Sequence, residues 1–289
     1  MADAALVARI NEEVTAALEG ARPVLVATIV AGPPGSEGTV GEKMLVRPDG
    51  SVLGTLGAGV IQAAVVREAP EAFRRHSVET LAFAIDGRVM LQSRSRGEPA
   101  FQVMLEVHER PATLLVIGGG HVGKALSVIG NMCGFSVEIV DDRPEYANAD
   151  RFREADRITQ GRFDEVLADY PIDENTYVVC VTRGHKHDEI SLRAVVSSRA
   201  AYVGMIGSKR RVAAVLQHLV EEGADAEAIA RVHTPIGLDI GAETPEEIAV
   251  SIMGEVIMTR RGGTAAPMRE AIKRRRGVAP ADRDETPAD

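Results

Sequence analysis

The chain of 289 residues contains no tryptophan, and all its aromatics together make up 3% of it. That leaves little to stack against single-stranded bases. Cysteine is nearly as scarce. Cys133 and Cys180 are the only two, which excludes a disulfide framework or a multi-cysteine metal site and suits a reducing, cytoplasmic setting. Both lie in apolar stretches and read as small buried hydrophobes. Positive charge is in deficit: 33 Lys and Arg stand against 42 Asp and Glu, a net charge of −9. A nucleic-acid binder usually has the opposite balance. No apolar run nears the roughly 20 residues that a membrane span needs. Met1 to Gly20 has neither a basic start nor a continuous apolar core, so it does not read as a secretory signal.

What is present is an ordinary soluble balance, 45% hydrophobic and 26% charged. The length favours two domains over one. The first, residues 1–110, reads as α+β. Leu6, Ile10, Val14 and Leu18 recur at helical spacing. Pro23–Val30 and Met44–Val46 read as strands, Val60–Ala69 as a helix, and Val78–Phe83 and Phe101–Val107 as further strands. The second, residues 111–242, alternates strand and helix. Thr113–Ile117, Phe135–Val140, Tyr177–Val181 and Ala201–Ile206 are the expected strands. Helices are expected over Val122–Met132, from Asp188 to Val196 and from Lys209 to Glu221. Such alternation implies a parallel, doubly wound sheet with right-handed crossovers. Over residues 243–263, Thr244-Pro245-Glu246-Glu247 spells a capping box with proline at the first helical position, and Arg260-Arg261-Gly262-Gly263 a helix end. Residues 264–289 read as a disordered tail.

The strongest functional signal is Gly118-Gly119-Gly120-His121-Val122-Gly123, a G-x-G-x-x-G run between an expected strand and an expected helix. Gly118 permits the tight turn, Gly120 the approach of a phosphate to the backbone, and Gly123 the packing of helix on strand. The helix start then offers unpaired N–H groups to an anion. Asp141 or Asp142, at the end of the next strand, would accept from a ribose 2′-hydroxyl and disfavour a 2′-phosphate, hence NAD over NADP. Further candidates follow the later strands. They are Thr182, Arg183 and His185, with Lys186, and Gly207, Ser208, Lys209 and Arg210 at a helix start suited to an anion. Asp188 reads as a helix N-cap. His185 and His187 lack a matching third group, so no metal site is assigned. His121 either contacts ligand or holds the turn. The loop from His233 to Ala242 reads as packed between domains. Gly41-Glu42-Lys43-Met44 and Gly54 to Gly59 read either as tight turns of a small sheet or as a close backbone approach to a ligand or partner. No proton-transfer dyad or triad is evident, so no catalytic residue is named.

Six stretches together resemble the XdhC/CoxI family, accessory and maturation proteins of molybdenum hydroxylases such as xanthine dehydrogenase. They are Gly41–Val46, Leu114–Gly123, Val140–Glu145 (with Arg143), Thr182–Asp188, Tyr202–Arg210 and Pro235–Ile252. The resemblance implies a Rossmann-like C-terminal domain beside a smaller N-terminal α+β domain, in a homodimer. It also implies binding of molybdenum cofactor, as molybdopterin or its nucleotide, with a cysteine desulfurase and the hydroxylase apoenzyme as partners. One departure stands out. Where the family reads glycine-glycine-glycine-cysteine and then glutamate, this chain has Gly57-Ala58-Gly59-Val60 and then Gln62. The alternative reading is an NAD-dependent oxidoreductase with its substrate held between the two domains.

Overall fold

The computed structural model describes residues 4–76, 78–90 and 100–269. The expected tail therefore lies outside the described residues from 270 onward. Helix α1 (Ala4–Leu18) is followed by strands β1 (Val24–Ala31), β2 (Lys43–Val46) and β3 (Val52–Gly54), then helix α2 (Gly59–Arg75). Strands β4 (Val78–Ala84), β5 (Val89–Met90) and β6 (Ala100–His108) complete an antiparallel sheet ordered β3-β2-β1-β6-β4-β5. Successive side chains of β1 point to opposite faces. Leu25, Ala27 and Ile29 meet α2, while Val24 and Val26 meet α1. Helix α2 outruns its expected end and continues through Pro70. Ala69, Ala72 and Phe73 extend its apolar stripe onto the sheet, and that packing outweighs the hydrogen bond the proline removes.

The second sheet is parallel. Strand β7 (Thr113–Ile117) leads into helix α3 (His121–Met132), then β8 (Ser136–Asp141), β9 (Arg157–Gln160) and the short helix α4 (Phe163–Ala168). Strand β10 (Thr176–Cys180), helix α5 (His185–Val195), β11 (Tyr202–Met205), α6 (Lys209–Glu221), α7 (Ala226–Ala230) and α8 (Pro245–Arg261) follow. The strands are ordered β11-β10-β7-β8-β9. Ile117 pairs with Val140 on one side and Cys180 on the other. Every residue of β7 and β10 is buried, as a parallel strand covered on both faces must be. Helices α3 and α8 cover one face and α4 to α7 the other.

Several expectations change. β9 and α4 carry too little apolar pattern to be read in advance: Arg157-Ile158-Thr159-Gln160 is an edge strand with no fully buried residue. The His233–Ala242 loop is not between domains. It runs beside β11, where Gly204 and His233 form an isolated parallel bridge, and Ser251 Oγ of α8 donates to Leu238 O. Cys133 is exposed, at the C-terminal end of α3, whereas Cys180 is buried in β10, where burial pushes its thiol up to about 12. Thr244 caps α8 in the expected box with Pro245 first in the helix, and Gly262 ends it in the left-handed region.

The two sheets meet where α2 and α8 end. Arg261 Nη1 donates to Arg75 O at 2.7 Å, and Glu109 accepts from Arg260 Nη2 at 3.3 Å while pairing with His76 Nδ1 at 2.7 Å. Arg110 bonds Asp173 at 2.5 Å. Glu109 and Arg110 immediately precede β7, and Asp173 precedes β10. The junction therefore adjoins the edge where the parallel strands begin.

Candidate functional site

The strand order reverses between β7 and β10: from β7 the chain moves through β8 to β9, then returns to β10 on the other flank. Open parallel sheets take ligands beyond the carboxyl ends of the strands at such a reversal. The turns that leave β7, β8, β10 and β11 at that edge contain all the sequence candidates.

The glycines after β7 are not equivalent. Gly118 has a φ of 116°, and a Cβ there would lie 2.6 Å from Val181 O of the neighbouring chain segment. A Cβ at Gly119 would lie 2.2 Å from Tyr146 O, and one at Gly123 2.0 Å from Gly118 O. These three are required by protein packing. Gly120 differs, because its missing Cβ would meet nothing within 4 Å. It occupies the N-cap of α3 without any side-chain cap. The helix ladder begins only at Lys124 N, which donates to Gly120 O at 2.9 Å. The amides of Gly120, His121, Val122 and Gly123 find no protein acceptor among the described residues. Four free donors at the positive end of a helix, under open space, suit an anion.

A polar frame holds this loop. Asp141 ends β8 with its side chain 1% exposed. Its carboxylate accepts from Gly119 N at 2.7 Å and from Arg143 N, Nε and Nη2 at 3.0 Å each. Burial pushes its carboxyl up. The Arg143 guanidinium and the amides of Arg143 and Gly119 outweigh that and hold it below the ordinary carboxylate range. Arg143 also lies over the Tyr146 ring, 3.6 Å from its centre. Arg151 donates from Nε to Gly119 O at 2.9 Å and from Nη2 to Gly120 O at 3.1 Å. Tyr146 and Arg151 were invisible to sequence reasoning, since they belong to an aperiodic stretch and act on backbone atoms about thirty residues away.

Asp142 differs from Asp141. Its Oδ2 accepts from Arg183 Nη2 at 2.9 Å, so the turns after β8 and β10 are joined. Its Oδ1 is buried without a hydrogen bond, with Arg143 Nε 3.9 Å away. Helix α5 begins at His185 after Gly184, three residues earlier than expected, so Asp188 is not its N-cap. Instead Asp188 is buried in the first turn and accepts from Thr182 Oγ1. The chain at Gly184 takes a φ of 85°, which delivers the helix start to this edge sooner than the Asp188 signal suggests. The side chains of His185 and Lys209 lie outside the description. His121 and Arg210 are exposed. The Gly207-Ser208 turn precedes α6, with Ser208 O accepting from Val212 N at 3.0 Å. Because β10 separates β11 from β7, this turn is two strand spacings, about 10 Å, from the glycine loop.

The antiparallel domain has a second uncapped helix start. Ala58 is the N-cap of α2 and lacks a side-chain cap. Gly57 (φ of 69°) leaves no room for a Cβ, which would lie 2.4 Å from a Glu42 carboxylate oxygen. A cavity of about 630 Å³ opens there, walled by Pro33, Pro34, Ile85 and Phe101 beside Val60. Among the described residues no cluster of three His, Cys, Asp or Glu could hold a metal ion, and no helix is long and apolar enough to cross a membrane.

The strand order, the glycine loop and the acidic end of β8 define a Rossmann-type domain coupled to an antiparallel α+β domain. Residues 114–256 match the model of the XdhC Rossmann domain, and residues 17–83 match the XdhC and CoxI family. The chain belongs to that family. It is 30% identical over 229 residues to the uncharacterized protein YqeB of Escherichia coli, covering 78% of this chain and 42% of that protein. It is 30% identical over 148 residues to a probable xanthine dehydrogenase component of Bacillus subtilis, covering 51% of this chain and 43% of that protein. The chain thus spans less than half the length of these curated relatives. The crystal structure of a xanthine dehydrogenase from Bacillus halodurans shares the fold, with a TM-score of 0.50 and 18% identity, covering 90% of this chain and 98% of that one.

Proposed function

We propose that this chain is an accessory protein of a molybdenum hydroxylase such as xanthine dehydrogenase, and that it holds molybdenum cofactor by its phosphate on the Gly118–Gly123 loop. The observation that carries this reading is the open space over Gly120 above four unpaired amides. Family membership and the xanthine dehydrogenase names of two similar proteins support it. The residues fit the group's phosphate. The backbone of Gly120 to Gly123 would bind it, Arg151 would keep the loop's carbonyls turned to itself, and Asp141 would fix Gly119. The cofactor supplies the redox-active metal; this chain's part is to bind and shield it until the hydroxylase apoenzyme receives it.

No thiol accompanies the site. Val60 stands where the family places cysteine, Cys180 is buried, and Cys133 is at the far end of α3, about 18 Å along the helix from the loop. Sulfur handling would therefore rest with a cysteine desulfurase partner. A homodimer and a cytoplasmic setting belong to the same reading.

The second reading, an NAD-dependent oxidoreductase, uses the same loop, and the sheet order and the acids ending β8 favour a dinucleotide. Mass spectrometry of the ligand retained on natively purified protein separates them. Molybdopterin or its nucleotide supports the first reading and NAD the second. Gly120→Val, whose Cβ would have no protein atom within 4 Å, should lower affinity for either ligand by about tenfold or more while the protein stays folded. Unchanged affinity in that variant would refute the placement.

A further inference from the structure

Three arginines adjoin the glycine loop, and two of them are committed. Arg143 donates from Nε and Nη2 to Asp141 and lies on the Tyr146 ring. Arg151 donates from Nε and Nη2 to the loop's own carbonyls. Arg183 is different. Its side chain is 45% exposed, and among the described residues its guanidinium makes one hydrogen bond, from Nη2 to Asp142 Oδ2 at 2.9 Å. The route of that bond matters. Strand β7 lies between β10 and β8, and Ile117 at its end pairs with Cys180 on one side and Val140 on the other. Arg183 follows β10 and Asp142 follows β8, so their turns are two strand spacings, about 10 Å, apart. A side chain that joins them passes beyond the end of β7, where the glycine loop leaves the sheet. Drawn back by part of that reach, the Arg183 guanidinium lies over the loop.

We infer that Arg183 is a transferable anion clamp: Asp142 and the phosphate of the loop's ligand compete for its guanidinium. The inference rests on the phosphate-loop reading and adds the pair of residues that sets how readily that site fills. Three observations carry it. The Arg183–Asp142 pair leaves its arginine exposed, and an exposed pair shifts an equilibrium by at most about fivefold, so it exchanges easily. A phosphate at the helix start is the stronger partner, because it carries a charge of roughly −1.5 to −2 and can take two parallel N–H bonds from one guanidinium. Asp142 is not stranded by the exchange, since Arg143 Nε lies 3.9 Å from its other carboxylate oxygen. A tie built only to join two turns would gain from burial and a second hydrogen bond. This one has a single hydrogen bond and an exposed arginine. Asp142 therefore works against ligand affinity and Arg183 for it. Replacing either residue breaks the same contact, yet the two replacements act on binding in opposite directions.

Calorimetry on the full chain with pyrophosphate tests this in four proteins: wild type, Asp142→Asn, Arg183→Ala and the double variant. Asp142→Asn should raise affinity by about two- to fivefold, since it releases Arg183 and keeps the shape of the side chain. Arg183→Ala should lower affinity by about tenfold, the lower end for a hydrogen bond between charged groups. On the Arg183→Ala background, Asp142→Asn should change affinity by less than about twofold. No guanidinium is then left to release, and Arg143 offsets the charge of Asp142. Both residues are in turns with partly exposed side chains, and equal urea midpoints confirm that the variants keep the fold. A fall in affinity in both single variants would make the pair a structural tie and overturn the clamp. So would unchanged affinity in either one. A gain from Asp142→Asn that is as large without Arg183 as with it would assign the effect to the charge of Asp142 alone, and would overturn the clamp while leaving the phosphate loop standing. Absence of pyrophosphate binding in all four proteins would refute the phosphate-loop reading itself.

Discussion

The chain contains the same local device twice. In each domain a strand gives way to glycine, and a helix begins with no side chain to cap it: Gly120 before α3, Ala58 before α2. Their surroundings make them different objects. At α3 the loop's carbonyls are held by Arg151, its flanking acid is neutralised by Arg143, and the space over Gly120 is open and edged with charge. At α2 a Glu42 carboxylate crowds Gly57, and the open volume is walled by proline, phenylalanine and isoleucine. An uncapped helix start is therefore only a permission. Whether it receives an anion depends on neighbours tens of residues away in sequence.

The sharpest test within the α3 device pits two glycines of one motif against each other. Gly123→Ala puts a methyl group 2.0 Å from a backbone oxygen that cannot move without parting helix from strand. It should cost more than about 4 kcal/mol, the range of severe core strain. Gly120→Ala adds a methyl group to open space at a φ of −64° that alanine adopts freely, and should change stability by less than about 1 kcal/mol. Urea unfolding of both variants reads the difference. Similar values would mean that Gly120 is also a packing glycine.

The frame around the loop comes next. Asp141→Ala leaves Arg143 and the Gly119 amide without their acceptor and should cost about 3 kcal/mol. Its pH dependence has a defined sign. The folded carboxyl titrates below its ordinary value, so its contribution is complete above about pH 4 and is lost as pH falls through the folded pKa. Glu109 and Asp173 are lowered too, each against a burial penalty, by His76 and by Arg110 respectively. Asp141→Asn should therefore flatten only part of the acid limb of stability against pH. An unchanged limb would show that Asp141 is dispensable to the loop.

The same contrast explains how much was legible in the sequence. The parallel domain could be read because its strands are continuous apolar runs and its last helix carries a strict cap at Thr244. The glycine run was legible because Gly118, Gly119 and Gly123 answer packing needs that no other residue meets, and Gly120 keeps the space over the helix start open. What escaped was whatever acts at a distance on backbone atoms: Arg151 on the loop carbonyls, and Tyr146 O against Gly119. The β9–α4 turn escaped for a different reason, since an edge strand four residues long shows no periodicity. The division of labour between Asp141 and Asp142 is equally absent from the sequence, because it depends on which one the Gly119 amide reaches.

At α2 the expected effects shrink. Gly57→Ala adds a left-handed alanine and displaces only the flexible end of Glu42, so about 1 kcal/mol is expected. Ligand affinity at the α3 loop should not change. A change there of more than about threefold would show the two helix starts to be coupled, and calorimetry on Gly57→Ala would detect it.

The smallest effect bears on the residue that sets this chain apart from its family. Val60 is 55% exposed at the first turn of α2 and borders the apolar cavity. Val60→Cys, made in a Cys133→Ser background, should alter stability by less than about 0.5 kcal/mol, as exposed substitutions do. The new thiol should react with a maleimide in the native protein, since it lies at a helix N-terminus, where the thiolate is favoured. Cys180, buried in β10 with its thiol pushed up to about 12, should react only after unfolding. A native protein with Val60→Cys that resists the reagent would mean that the cavity is closed to solutes. The α2 device would then be a packing solution alone, and the comparison with α3 would reduce to one site and one turn.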